Sequence, residues 1–214
     1  MPDNLLGAMI VVYDFSAIER DEFNDWYDTE HIPQRLGING FMNAQRWLAI
    51  DNPKLSVVTY DVQCADVLRS PAYQAITGAA SSPWTRRINK KCKLVARYVG
   101  EQILPGDRTG PEEAKGLLLL AMNVNAAVEE EFNCWNDTEH FPRLAAIPGV
   151  LAARRIRCTE GGQRYLAVYH TANTRVIDSP AWLEARETPW TWRIRGHTRD
   201  RMRIVCERYR GAGG

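Results

Sequence analysis

The sequence predicts an α+β protein built from two tandem ferredoxin-like βαββαβ modules whose antiparallel sheets pack into one pseudo-symmetric barrel. Residues 22–33 (EFNDWYDTEHIP) return as residues 131–142 (EFNCWNDTEHFP), with nine of the twelve positions identical. The strand and helix patterns around this motif also follow the same order in both halves. Self-similarity at a constant offset, here the 109 residues between His31 and His140, indicates one structural unit present twice.

The repeat divides the chain into two modules and a connection. We expect residues 1–104 to form the first module and residues 115–214 the second. Residues 105–114 form the predicted linker, because turn-forming residues stand at both ends of the run 105–111 and it offers little to bury.

The first module begins with residues 5–15, an apolar and β-branched run that predicts a buried strand. Ser16 and Glu19 have the spacing of a capping box, so a helix carrying the motif should start there and end at Pro33 and the glycines that follow. The alternating runs 41–50 and 55–63 predict a hairpin. The remaining elements are an alanine-rich helix near residues 65–78, which could resume after residue 83, and a strand at residues 93–104.

The second module repeats this order. Its predicted elements are a strand at 115–124, a helix at 126–144, strands at 150–158 and 164–171, a helix near 179–188 and a strand at 202–210. In the ferredoxin-like order both helices cover one face of a four-stranded sheet and leave the other face bare. Because the second copy can cover the bare face of the first, the two sheets should form one eight-stranded barrel.

Composition and charge exclude several classes of function. Apolar residues make up 45% of the chain and charged residues 25%, as in ordinary globular proteins. The formal charge of +1 gives no electrostatic basis for binding nucleic acid or an anionic membrane. No apolar run is long enough to span a bilayer, and the first residues lack the pattern of a signal peptide.

The cysteines predict a cytoplasmic protein without disulfides. None of the five recurs as cysteine in the other copy, so a shared disulfide or metal framework is not expected; they are Cys64, Cys92, Cys134, Cys158 and Cys206. Asp28, Glu30 and His31 diverge around a helix, so we expect no metal site in the motif either.

A carboxylate falls on the apolar face of the motif helix. Phe23, Trp26, Tyr27 and Glu30 occupy positions i, i+3, i+4 and i+7, which share one helix face. A carboxylate there must be hydrogen-bonded or have a raised pKa, and a raised pKa suits acid–base catalysis near neutral pH. The alternative is that a backbone amide or an arginine such as Arg46 satisfies Glu30 in a purely structural role.

His31 is the candidate general base. It follows Tyr27 by one turn and Asp28 by three residues, spacings that allow a carboxylate to orient the imidazole. Alternatively, a histidine beside a helix-ending proline could cap the last carbonyls of the helix. Its presence in both copies fits either role.

Differences between the copies favour a single active site in the first half. The changes are Tyr13 to Met122, Asp14 to Asn123, Tyr27 to Asn136 and Asp61 to His170, so the first copy keeps more titratable groups. The predicted catalytic residues are His31, Glu30, Asp28, Tyr13, Arg46 and Tyr60. The predicted substrate-binding residues are Trp26, Tyr27, Trp84 and Asp61. Their counterparts in the second copy are His140, Glu139, Arg155 and His170, and a function gained through His170 is the alternative.

The motif resembles that of a known superfamily. Trp26-x-x-x-Glu30-His31-x-Pro33 followed by Arg46, and the equivalent pattern from Trp135 to Pro142 followed by Arg155, resemble the EthD-like branch of the dimeric α/β-barrel superfamily. The resemblance implies that two half-barrels, usually separate chains, are fused here. Its members include cofactor-free monooxygenases, muconolactone isomerases, polyketide cyclases, haem enzymes such as chlorite dismutases, and ligand-sensing domains, so the fold does not fix the reaction.

These observations favour a cofactor-independent enzyme acting on a small aromatic or cyclic carbonyl compound. His31 would act as general base or acid, Glu30 or Asp28 would orient it, and Tyr13, Tyr60 or Arg46 would stabilise an oxyanion. Isomerisation, cyclisation, decarboxylation and hydrolysis all fit this set of groups. The expected partner is a small molecule, with neither nucleic acid nor membrane, and the fused barrel could form a homodimer.

Three alternatives stay open at this point. The barrel could be a non-catalytic accessory protein that binds a small apolar ligand, or a cofactor-free oxygenase. It could also be a haem enzyme, although nothing singles out an axial ligand among the four histidines, His31, His140, His170 and His197.

Overall fold

Eight antiparallel strands close into one barrel in the computed structural model, which describes residues 5–211. The strands are β1 (Gly7–Asp14), β2 (Phe41–Ala49), β3 (Leu55–Val62), β4 (Lys93–Leu104), β5 (Gly116–Val124), β6 (Val150–Glu160), β7 (Tyr165–Thr171) and β8 (Thr198–Arg208). Their order around the barrel is β1-β3-β2-β8-β5-β7-β6-β4. Each half therefore contributes a four-stranded sheet of ferredoxin-like order, and the halves join where β2 pairs with β8 and β4 with β6. The predicted fold class is confirmed.

Six helical elements accompany the strands. The long helix of the first half, α1, covers residues 20–36 and consists of Arg20–Asp25, the π-helical turn Trp26–His31 and Ile32–Leu36. Its counterpart, α4, covers residues 129–145 as Glu129–Trp135, the π-helical turn Asn136–His140 and Phe141–Ala145. The shorter helices are α2 (Pro71–Gln74), α3 (Pro83–Lys91), α5 (Pro180–Arg186) and α6 (Pro189–Arg195). None of the helices within residues 5–211 has the length and apolar character needed to cross a bilayer.

Alternation along the strands separates two cores. Ala8, Ile10 and Val12 of β1 join the cluster inside the barrel, which also contains apolar residues of the second half such as Leu117 and Leu119. The residues between them on β1 face outwards and pack against the helices of their own half. Because the inner cluster draws on both halves, neither sheet buries its inner face alone.

The π-helical turns explain why the motif has its sequence. A π turn widens the helix and leaves a backbone carbonyl without its usual amide partner. The Thr29 hydroxyl donates to the Asp25 carbonyl at 2.6 Å, and Thr138 donates to the Cys134 carbonyl at 2.8 Å. Pro33 follows as the second residue of the next α-helical stretch, a position that does not require its amide. The predicted helix end is wrong for Pro33 and confirmed for the glycines that follow, since α1 continues to Leu36 and Gly37 is its C-cap.

Four further elements differ from the prediction. The capping box does not form, because the Ser16 amide donates to Asp14 in a turn and α1 begins at Arg20. The alanine-rich run is a 3-10 turn and the short α2, whereas the main helix of this region is α3. In the second half α6 was missed, and β8 starts at residue 198 rather than 202.

The connection between the halves is bound inside one end of the barrel. The Gly110 amide donates to Asp61 at 2.8 Å, and the Asn43 and Gln45 side chains donate to the Gly110 carbonyl at 2.8 and 2.9 Å. A Cβ at Gly110 would lie 2.9 Å from Nε2 of His170, so only glycine fits there. The expectation that this connection has little to bury is wrong.

Prediction one concerns the buried ion pair that holds this region together. Arg154 of β6 donates to Asp61 of β3, and both side chains are at most 4% exposed, so the pair joins the two halves. Arg154→Met should lower the free energy of unfolding by about 3–5 kcal/mol, because it leaves a buried carboxylate without its counter-charge. Denaturant titration measures the loss.

Arg157→Met supplies the matched control for this prediction. Arg157 lies on the same strand, is 52% exposed and pairs with Glu101 at 3.8 Å, so its replacement should cost less than about 1 kcal/mol. Equal losses in the two variants would show that the buried pair does not stabilise the closed barrel.

Candidate functional site

The imidazole of His31 lies in an aromatic pocket formed by its own helix. Its ring centroid is 4.0 Å from that of Trp26 and 5.1 Å from that of Tyr27, and the residue is 7% exposed. The π turn places these three rings together. Trp26 and Tyr27, predicted to bind substrate, lie in the helix–sheet core with no exposed surface.

Glu30 connects α1 to the start of α3. Its carboxylate accepts hydrogen bonds from the hydroxyls of Ser82 at 2.5 Å and Thr85 at 3.0 Å, and Thr85 also accepts from the Trp26 indole at 3.0 Å. Ser82 is the N-cap of α3. The second copy repeats the arrangement: Glu139 accepts from Thr188 at 2.6 Å, and Trp135 donates to Thr191 at 3.3 Å. A network kept in both copies fits the structural alternative.

Asp28 and Arg46 hold α1 against β2. Arg46 donates to Asp28 at 2.9 Å and to Asn24 at 2.8 Å, and its guanidinium lies over the rings of Tyr27 and Tyr209 at 4.5 and 4.0 Å. The copy preserves the ion pair as Arg155 with Asp137. The structure therefore brings neither Glu30 nor Asp28 into a hydrogen bond with the imidazole of His31.

A cavity of about 280 Å³, called here the first cavity, opens beside His31 between the helices and the outer face of the sheet. Its polar wall consists of Tyr13, His31, Arg35, Tyr60, Tyr73 and Arg97, while Met9, Val11 and Leu94 supply apolar surface. Tyr13, His31 and Tyr60 were predicted from the sequence, and the structure brings these three together.

Burial sets the protonation states in the first cavity. The pKa of His31 lies well below its usual value, because burial and then the nearby guanidinium groups of Arg35 and Arg46 disfavour the imidazolium. Burial also raises the pKa of Tyr13 and of Tyr60. Near neutral pH the cavity thus presents a neutral imidazole, two protonated phenols and a positive guanidinium.

Several polar atoms on the wall have no hydrogen-bond partner among residues 5–211. They are Nδ1 of His31, Nε of Arg35 and the hydroxyl of Tyr60. The Tyr13 hydroxyl, by contrast, donates to Asn89 at 3.0 Å. Buried polar groups are usually paired, so these atoms are exceptions, and Nδ1 of His140 in the second half is another.

The second half has a smaller cavity, about 90 Å³, at the equivalent place beside His140. The residues that line it differ: Met122, Leu144 and Trp182 replace Tyr13, Arg35 and Tyr73. Burial, followed by the positive charge of Arg195, lowers the pKa of His140 to about 4. The first cavity is larger and is lined by three tyrosines, whereas four arginines line the second.

Three further predicted residues lie away from both cavities, and two of these are inside the barrel. Asp61 and His170 are inside the barrel, where Asp61 pairs with Arg154 and His170 contacts Trp47 with ring centroids 5.6 Å apart. Trp84 packs, partly buried, against the helix–sheet core. Among the described residues no group of three or more His, Cys, Asp or Glu could hold a metal ion.

Sequence reasoning missed Arg35 and Tyr73. The signal for Arg35 was available, because it follows His31 by four residues on one helix face and becomes Leu144 in the copy. Tyr73 becomes Trp182 and was interpreted as part of a core helix. Comparing every position of the two copies, rather than only those in the motif, would have found both.

Comparisons with known proteins bear on the fold. No family model matches the sequence, and no curated protein matches it. Solved structures do match: an anthrone oxidase-like protein is 11% identical with a TM-score of 0.66 and covers 100% of this chain and 95% of its own. The chain has the dimeric α/β-barrel type of fold.

Two further structures agree with this assignment. A "putative monooxygenase" from Lactobacillus acidophilus NCFM is 12% identical with a TM-score of 0.62, covering 95% of this chain and 94% of its own. A "putative chlorite dismutase" is 10% identical with a TM-score of 0.64, covering 97% and 96%. The shared fold is thus one found in proteins named as small-molecule enzymes, and at these identities the likeness shows the fold alone.

Prediction two tests the structural role of the motif glutamates. Glu30→Ala removes the acceptor of two hydroxyl bonds and should lower the free energy of unfolding by about 1–3 kcal/mol. Glu139→Ala should cost a comparable amount, because the equivalent network is present in the second half. Chemical denaturation measures both; an unchanged stability in Glu30→Ala would contradict the role of Glu30 in joining α1 to α3.

Prediction three concerns pH. His140 has a folded pKa of about 4 against about 6.5 when unfolded, so below pH 6.5 the unfolded chain binds a proton that the folded protein does not. The stability that the neutral His140 contributes is therefore fully present above pH 6.5 and is lost as the pH falls towards 4. Between pH 6.5 and 5.5, His140→Gln should lose about 1 kcal/mol less than the parent protein in urea titrations. Equal losses would show that His140 titrates normally in the folded protein.

Proposed function

We propose that the first cavity is the active site of a cofactor-independent enzyme that moves protons on a small aromatic or cyclic carbonyl compound, with His31 as the base. The observation that carries the proposal is that one cavity joins a neutral imidazole to the protonated phenols of Tyr13 and Tyr60. This combination of a proton acceptor and proton donors is what enolisation requires. The second cavity keeps the histidine and loses the phenol of Tyr13 to Met122.

The proposed reaction begins with proton transfer to His31. The imidazole takes a proton from the carbon next to the carbonyl, the electron pair of that C–H bond forms a C=C bond, and the carbonyl π pair moves onto oxygen. The hydroxyl of Tyr60, or that of Tyr13 once it leaves Asn89, donates a hydrogen bond to this oxyanion; burial, which raises the pKa of both phenols, keeps them protonated. Where the substrate has a C=C bond conjugated with this enolate, return of the proton to the far carbon of that bond shifts the double bond and completes an isomerisation without any oxidant.

The same enolate fits the related reactions. Loss of CO₂ from a β-keto acid, or attack of the enolate carbon on a second carbonyl in a cyclisation, passes through the same oxyanion. A cavity of about 280 Å³ is slightly smaller than the pockets of about 300–1,000 Å³ that hold drug-sized ligands, so it favours a molecule with one or two rings.

The carboxylates take another role in this proposal than in the sequence prediction. Glu30 binds α1 to α3, and Asp28 binds α1 to β2 through its ion pair with Arg46. These residues therefore fix the position of the helix that carries His31. The face of Trp26 positions the imidazole instead. Membership of the EthD-like branch, a homodimer of the barrel and a cytoplasmic location belong to the proposal and rest on the sequence.

Haem chemistry is not part of the proposal. A neighbour named as a chlorite dismutase raises the question, and His31 is the histidine of the first cavity. Pockets for drug-sized ligands have about 300 Å³ or more, and a porphyrin is larger than such a ligand. The first cavity, with about 280 Å³, is therefore too small for it. The residues present do not fit that group, and no step is derived through it.

A binding protein without catalysis is the second candidate. The observation in its favour is that Trp26, Glu30 and Asp28 have structural partners that recur in the second copy. In this case the first cavity would hold a small ligand and His31 would serve only as part of its wall.

Prediction four separates these two functions. The protein is incubated in D₂O with each of four carbonyl compounds: phenylpyruvate, 2-indanone, 2-tetralone and cyclohexane-1,3-dione. NMR then follows the loss of the signal from the protons next to the carbonyl, which reports their exchange for deuterium. The parent protein should accelerate exchange for at least one of them. His31→Gln should reduce this rate by about 100-fold or more, the usual contribution of a general base.

His140→Gln is the matched control, because it removes the equivalent histidine from the second cavity and should leave the exchange rate unchanged. Melting curves verify that both variants are folded. Exchange that is equal in His31→Gln and the parent protein, or absent from the parent protein with all four compounds, would contradict the enzymatic proposal and favour the binding protein.

A further inference from the structure

We infer that the first cavity accepts ligands carrying a carboxylate, which Arg35 binds as its counter-ion. This inference rests on the proposed function for the choice of cavity and adds the chemical class of the substrate. The carrying observation is a buried guanidinium that faces a cavity and has no acidic partner among residues 5–211.

Arg35 differs from the other buried arginines. Four arginines in the described part of the chain are at most 6% exposed: Arg35, Arg46, Arg154 and Arg155. Three of them pair with an aspartate, Arg46 with Asp28, Arg154 with Asp61 and Arg155 with Asp137. A charged group withdrawn from water needs a counter-charge, and this protein supplies one for every buried arginine except Arg35.

The hydrogen bonds that Arg35 does make leave much of its capacity free. Nη1 donates to the backbone carbonyl of His31 at 3.0 Å, one turn earlier in α1. Nε has no partner. A guanidinium carries five N–H donors in a planar fork that matches the two oxygens of a carboxylate, so a bound carboxylate would satisfy both its charge and its geometry.

Helix packing does not explain the arginine. The equivalent residue in the second half is Leu144, which is 1% exposed and packs in the same place on α4. The fold therefore accepts an apolar side chain at this position. An arginine at this position buries less apolar surface than a leucine would. The second cavity, which is lined by Leu144 instead, is smaller.

A carboxylate at Arg35 would also lie near the proposed base. Arg35 and His31 line the same cavity, and the positive charge of Arg35 is one cause of the low pKa of His31, after burial. A bound anion would offset that charge and make the imidazole a stronger base when substrate is present.

Prediction five compares a carboxylate with its neutral isostere. Phenylacetate and phenylacetamide have the same size and shape, and calorimetric titration should show that the parent protein binds phenylacetate about ten-fold or more tightly. Arg35→Leu copies the residue of the second half and should bind the two compounds equally, within about two-fold. Arg35→Gln is the second variant, should lose the preference in the same way, and serves if the leucine variant does not fold.

Arg87→Leu is the matched control, because it removes one positive charge from a side chain that is 55% exposed on α3 and should keep the preference. A parent protein that binds both compounds equally, or an Arg35 variant that still prefers phenylacetate, would overturn the inference. His31→Gln should retain the preference, because Arg35 and not His31 binds the carboxylate. A parent protein that prefers phenylacetate but accelerates no exchange would contradict only the enzymatic proposal and leave this inference intact.

Discussion

Burial of the inner sheet face is the constraint on which the rest of the structure depends. The helices of each half cover one apolar face of its sheet, and the equivalent face of the other half covers the second. Ile10 and Val12 from the first half and Leu117 and Leu119 from the second share one interior cluster. The helices are consequently confined to the outside, and both cavities form between helix and sheet rather than within the barrel.

Because the two halves are copies of one unit, each residue can be compared with its counterpart in the other half. Where a residue and its bonds are present in both halves, as for Arg46 and Arg155, the shared architecture is a sufficient explanation. Where the backbone is the same and the side chain differs, architecture does not explain the choice. Arg35 against Leu144 is the clearest difference of this kind, because one is a buried charge and the other a core aliphatic residue. The residues that distinguish the candidate site are therefore those that differ between the halves, whereas the repeated motif forms the long helix that both halves share.

The sequence predicts those features of the structure that depend on residues close together in the chain, and it predicts poorly those that depend on distant residues. Strand alternation and the repeat are visible locally, so the barrel and residues Tyr13, His31 and Tyr60 could be predicted. The π-helical turn could not, because its determinants are a threonine bond and a proline that also suit an ordinary helix end. The partners of Glu30 lie 52 and 55 residues away, at the start of a helix that the sequence offered only as a continuation of the alanine-rich run, so spacing along the motif alone pointed to His31 instead.

Positive charge links the two parts of the proposed site. A buried histidine beside an unpaired arginine is a weak base, because each would make the other's charge less favourable. This is costly in a folded protein with an empty cavity, and it is useful if the ligand brings the missing negative charge. Catalysis gains most from groups whose strength appears only in the complex with substrate, and a base that strengthens when an anion binds has this property. The second cavity differs, because Arg195, whose charge lowers the pKa of His140 most after burial, already has an acidic partner in Glu187.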